Sequence, residues 1–127
     1  MQINKSTNGN ALNINGVVYA HGLGAHAYSE QRWPLNGNCS AFTATVGLDN
    51  EIAWGTGNVT FQIWADGKLA YNSGYMQGGS PAKTLNISVA GVQTLALVVT
   101  NGTYMAPSWT TYNDHSDWAN PVLTCAN

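Results

Sequence analysis

The sequence predicts an all-β fold, and three observations carry that prediction. Apolar and polar residues alternate in short runs along the chain. Those runs are separated by Gly, Asn and Asp turns. No stretch of useful length shows the 3.6-residue repeat of an amphipathic helix. Eight or so short strands of this kind belong to a β-sandwich or barrel.

The elements follow in order. "ALNING" places Leu12 and Ile14 on one face and Asn13 and Asn15 on the other. Asn15-Gly16 then supplies the positive φ of a tight hairpin into "VVY". "CSAFTATVGL" puts Phe42, Ala44, Val46 and Leu48 on one side and Thr43 and Thr45 on the other. "NVTFQIWA" turns Val59, Phe61 and Ile63 inward and Thr60, Gln62 and Trp64 outward, and Asp66-Gly67 forms a second hairpin turn into "KLAYNS". "TLNISV" and "VQTLALVVT" repeat the alternation on either side of Ala90-Gly91. "NPVLTC" closes the chain as a short strand, with Pro121 at its start or on an edge. The inward faces of these strands form the core of two facing sheets.

The composition narrows the functional classes. The chain has 127 residues, one domain's worth, so we expect a single module over 1–127. Only 8% of residues are charged, against roughly 25% in an ordinary soluble domain. Polarity rests on Asn, Gly, Ser and Thr, as in secreted all-β proteins. The basic residues Lys5, Arg32, Lys68 and Lys83 are scattered, so no stripe exists to neutralise phosphates and nucleic acid is excluded. No apolar run approaches the ~20 residues that span a bilayer, so no membrane partner is expected. No leader peptide is legible, and the polar start reads as the edge of a domain from a longer chain. Cys39 and Cys125 fit no zinc spacing; they are either a disulfide or two buried thiols.

Three loops exceed what hairpins need: "AHGLGAHA", "DNEIAWGTG" and "NGTYMAPSWTTYNDHSDW". The first holds Gly22-x-Gly24-x-x-Ala27, which matches a dinucleotide fingerprint. The match fails in context: Pro34 cuts short the helix that should follow, and no βαβ alternation exists. The glycines instead allow positive φ or close chain approach in a loop that presents His26. No G-x-S-x-G or H-E-x-x-H pattern appears. Asp114 and Asp117 do not by themselves make a glycosidase pair, so no enzyme is expected.

Five blocks then become recognisable in order: "GLGAHAYSE", "FTATVGLDNE", "VTFQIWADGKLAYNSGYM", "LALVVTNG" and "DHSDWANPVL". Together they resemble the NPCBM family of carbohydrate-binding modules, over nearly the whole chain. The resemblance implies a galactose-binding-like jelly-roll sandwich. It also implies non-catalytic binding of galactose-containing glycans, and an attached secreted glycoside hydrolase that the module targets to its substrate. A free-standing lectin, or a structural domain that binds protein, is the alternative. No cofactor is required, although some relatives carry a structural calcium. Asn4 and Asn120 stand where the family tends to place acidic residues, which weakens a site for a hard cation.

Sugars are bound by aromatic faces and by directional polar side chains. On that chemistry His26, Asp114, His115 and Asp117 are expected to meet at one end of the sandwich. They either contact sugar or tie loop backbones together. Tyr112 and Asn113 precede that block and are placed as ligand contacts. Trp54 and Trp109 are each either a lid on the core or a stacking platform, and Gln77 is a further polar contact. Trp64 faces outward, under a loop or a partner domain. Trp33 shares a face with Leu35 and belongs to the core.

Overall fold

The computed structural model describes residues 2–52, 58–101 and 114–126. Trp54, Trp109, Tyr112 and Asn113 lie outside the described residues. The strands are β1 (Gln2–Ile3), β2 (Leu12–Ile14), β3 (Val17–Tyr19), β4 (Gly22–His26), β5 (Ser29–Pro34), β6 (Cys39–Leu48), β7 (Val59–Ala65), β8 (Lys68–Asn72), β9 (Lys83–Ser88), β10 (Thr94–Asn101) and β11 (His115–Cys125). They form an antiparallel five-stranded sheet, β1-β4-β11-β6-β9, and an antiparallel four-stranded sheet, β5-β10-β7-β8. The β2–β3 hairpin stands apart from both.

The core lies between the two sheets, where the period-two pattern places it. Phe42, Ala44, Val46 and Leu48 of β6 face Val59, Phe61 and Ile63 of β7 and Leu95, Leu97 and Val99 of β10, all of them buried. Trp118 joins this layer and meets Phe61 edge-on, with ring centroids 5.2 Å apart. Trp33 packs against the same cluster beside buried Leu35. Both hairpin turns have the expected positive φ, at Asn15 and Gly16 and at Asp66 and Gly67.

Two expected loops are strands. "GLGAH" is β4 and pairs with both β1 and β11. "HSDW" begins β11, an eleven-residue strand whose register shifts between Ala119 and Val122, where Asn120 has positive φ. The bulge is why "NPVLTC" reads as a separate strand. The polar residues of "HSDW" look like a loop because the outward face of this sheet is itself covered. Residues 4–19 lie across it, with Leu12 and Ile14 fully buried and Ser6 at 0% exposure.

The glycines make that cover possible. A Cβ on Gly24 would lie 2.1 Å from the Lys5 carbonyl oxygen, and one on Gly47 would lie 2.6 Å from Ile14 Cγ2. Gly24 and Gly47 are the cross-strand neighbours of Asp117, one on each side. They leave room for the cap to seat against the sheet. Far from His115, Cys39 and Cys125 are joined by a disulfide across β6 and β11, 86 residues apart in sequence. Closing a loop of that size contributes about 4–5 kcal/mol in the chain-entropy account.

Candidate histidine site at one end of the capped sheet

The register of β4 and β11 brings His26 directly opposite His115. Their ring centroids are 5.3 Å apart and tilted by 60°. Both side chains are half-buried at the end of the sheet. Each ring is oriented through Nδ1. His26 Nδ1 donates to the Ala27 carbonyl at 2.8 Å, and His115 Nδ1 donates to Glu51 Oε2 at 2.6 Å. Since an acceptor faces Nδ1 in both rings, Nε2 of His115 is the nitrogen not committed to Glu51.

Glu51 is the hub behind this pair. Its carboxylate accepts from Ser6 Oγ, from Asn10 Nδ2 at 3.0 Å, from the Asn8 backbone N–H at 3.2 Å and from His115. Burial pushes its pKa up, but the hydrogen bonds from Ser6, Asn10, His115 and Asn8 outweigh it, so the carboxyl lies below its ordinary value. The cap is thereby tied to the histidine. Glu51, which braces His115, is the residue of this cluster that the candidate list missed. It ends the recognised "FTATVGLDNE" block, but its partners in the 6–10 turn are more than 40 residues away in sequence, and no local pattern announces them.

Asp114 and Asp117 belong to the fold. Both are at 0% exposure. Asp114 Oδ1 accepts the Asn58 N–H at 2.7 Å, and the Asp114 carbonyl accepts the Ala27 N–H at 3.4 Å. Burial raises the Asp114 pKa, opposed by the Asn58 N–H and by the two histidines. Asn58 and Asp114, which this bond joins, are the residues that follow 53–57 and 102–113 in sequence, the stretches that contain Trp54, Trp109, Tyr112 and Asn113.

Of the two readings of Asp117, its burial supports the structural one. Its side chain is buried beneath the cap, where the Asn13 backbone N–H approaches it and opposes, without reversing, the effect of burial. Its neighbour is the Asp49 carboxyl, which already accepts the Asn13 and Glu51 N–H groups. Two buried carboxyls in contact need a proton between them. Asp117 holds it: burial first, then its hydrogen bond and repulsion with Asp49 and the charge of Glu51, push its pKa up to about 10.

Gln77 is exposed in the turn over residues 77–80, next to Met76, which pairs with Val59. Asn15 Nδ2 donates to the Ser80 carbonyl at 2.7 Å and ties this turn to the β2–β3 hairpin. Asn4 turns its Oδ1 to the Gly22 N–H at 2.9 Å, and among the described residues no three His, Cys, Asp or Glu side chains form a metal-holding group.

Comparison with known proteins identifies the fold and the family. The sequence pattern of the NPCBM/NEW2 domain family matches residues 1–124. A Renibacterium salmoninarum protein, named provisionally as an endo-alpha-N-acetylgalactosaminidase, is 36% identical over 119 residues, 93% of this chain and 7% of its own length. The alpha-1,3-galactosidase B of Akkermansia muciniphila is 32% identical over 124 residues, 92% of this chain and 14% of its own length. The chain thus spans a small fraction of either curated relative. Among solved structures, the CBM51 module from Clostridium perfringens GH95 in complex with methyl-galactose superposes with a TM-score of 0.86. It is 32% identical, over 97% of this chain and 86% of that one.

Proposed function

Because the chain belongs to the NPCBM/NEW2 domain family and is a non-catalytic carbohydrate-binding module of the CBM51 kind, we propose that it binds galactose-type sugars at the His26–His115 end. The observation that carries this is the cross-strand histidine pair. Two half-buried imidazoles stand 5.3 Å apart, one of them braced by Glu51. Imidazole nitrogens read hydroxyl direction, which is what separates one hexose from another. The braced ring loses little conformational freedom when a sugar arrives. The bond between Asn58 and Asp114 supports a role for the neighbouring segments. Trp54 and Trp109 supply the stacking surface, and Tyr112, Asn113 and exposed Gln77 supply further polar contacts.

One such site binds weakly, on the order of micromolar to millimolar. Retention comes from tethering, since a linked module raises the effective concentration of its parent at the substrate. We read residues 1–127 as one module that holds an attached glycoside hydrolase at a galactose-bearing glycan. The glycosidases named among its relatives support that role. The Cys39–Cys125 disulfide supports a secreted setting.

Titration calorimetry with methyl galactoside tests the site. His115→Ala and His26→Ala are each expected to weaken binding at least tenfold while leaving the far-ultraviolet circular dichroism unchanged. Parental affinity in both variants would move the site elsewhere.

A further inference from the structure

The four-stranded sheet carries a feature that the histidine end does not use. Strand β10 runs through its middle, and the outward residues of that strand are small: Thr94, Ala96, Val98 and Thr100. Its neighbours carry larger groups in the same rows. Ala96 stands between Arg32 of β5 and Trp64 of β7, and Val98 stands between Glu30 and Gln62. A line of small side chains between two lines of large ones makes a trough. A cavity of about 650 Å³ occupies it. A second hollow of about 390 Å³ shares Gln62 and Thr100 with the first and continues to Tyr75. From Thr94 to Thr100 the floor is about 20 Å long, room for several linked sugar rings.

The lining is suited to a neutral polyhydroxylated chain. The Trp64 indole is half-buried in the wall, and its Nε1–H donates to Gln62 Oε1 at 2.9 Å. That bond orients the Gln62 amide, whose Nε2 lies 3.5 Å from Thr60 Oγ1. Tyr28 and Tyr75, 64% and 70% exposed, flank the Thr100 end from the β5 side and the β8 side. Arg32 and Glu30 pair with each other, so the opposite wall presents no net charge to select an anion. The backbone of β10 is paired on both sides, so a peptide laid along the floor finds no strand edge there to extend. At the Thr94 end the Asp66 carboxylate already accepts the Gln93 and Thr94 N–H groups, so what the trough otherwise offers a ligand is aromatic surface with directional hydroxyl and amide groups.

We propose that this trough is a second carbohydrate site, which takes an extended neutral oligosaccharide along β10 with a sugar ring against Trp64. It is independent of the histidine end, which lies on the other sheet. Two sites on one module would also raise avidity for a branched or repeating glycan.

The test is electrophoresis of the His26→Ala/His115→Ala chain through native gels that contain galactomannan, arabinogalactan, xyloglucan or laminarin. We expect at least one polysaccharide to retard it. Trp64→Ala added to that chain is expected to weaken the apparent affinity at least tenfold. Ala96→Leu, which fills the floor and keeps the indole, is expected to do the same, so loss of binding is not confused with loss of the indole's packing. Free migration in all four gels would overturn the proposal, as would retardation that both trough variants leave unchanged. Self-association in sedimentation that Trp64→Ala abolishes would also overturn it, by giving the face to a second copy of the chain. Parental methyl galactoside binding by the double histidine variant would count against the histidine site alone and leave the trough standing.

Discussion

The two sheets put their outward faces to opposite uses. The β1-β4-β11-β6-β9 sheet is roofed by residues 4–19, and its outward carboxyl, Asp117, is sealed in with a proton. The β5-β10-β7-β8 sheet leaves its outward Thr, Gln and Trp residues lining an open trough. Polar side chains alternate outward on both, so periodicity alone does not separate a ligand face from a second interior. Their strand neighbours do. Asp117 is flanked by Gly24 and Gly47, which remove side-chain volume so that other backbone can seat there. Trp64 is flanked by Ala96 on one side and Leu69 on the other, and the space beside it stays open.

Breaking the cap should have the largest effect. A methyl group on Gly24 would meet the Lys5 carbonyl oxygen at 2.1 Å and the Ser6 backbone at 2.8 Å, and backbone yields less readily than a side chain. Gly24→Ala is expected to destabilise the fold by about 3 kcal/mol in urea denaturation. Thr94→Ala, on the exposed rim of the trough, is expected to change stability by less than about 0.5 kcal/mol. Similar losses from the two would erase the distinction between the faces.

The same contrast can be sharpened through pH. Asp117 is held neutral with a folded pKa of about 10 against 3.8 unfolded, so the native state binds the extra proton throughout that window. Stability is therefore fully present below the unfolded pKa and falls as pH rises toward 10, by at most about 1.4 kcal/mol per pH unit for one proton. Glu51, with its lowered pKa, acts in reverse: its contribution is lost as pH falls below the ordinary carboxylate range. Maximum stability is expected near the lower end of the Asp117 window. Asp117→Asn, which replaces the carboxyl O–H with an amide N–H donor for Asp49 and cannot ionise, should flatten the decline in melting temperature between pH 6 and 9. An unchanged slope would mean that Asp117 is not the proton carrier.

Much of the fold was legible in the sequence because strands with one buried face must alternate. The inward residues of β6, β7 and β10, both Asx-Gly hairpins and the core position of Trp33 all follow from that rule. The ends of β4 and β11 were harder to read. "GLGAH" and "HSDW" look like loops because their glycines and polar residues serve a cap contributed by residues far away in sequence. The site was legible in part. His26 and His115 stand in recognised blocks, yet their pairing depends on the β4–β11 register. Glu51 depends on the 6–10 turn, and the role of Asp117 depends on Asp49. Each of these is a long-range contact that no local spacing encodes.

The most direct measurement of the central claim is a titration of the isotope-labelled chain with methyl galactoside, followed by nuclear magnetic resonance. The account predicts that the ring and amide signals of His26 and His115 shift most, while those of Ala96 and Val98 on β10 stay in place. Saturable shifts that leave both histidines unmoved would contradict it.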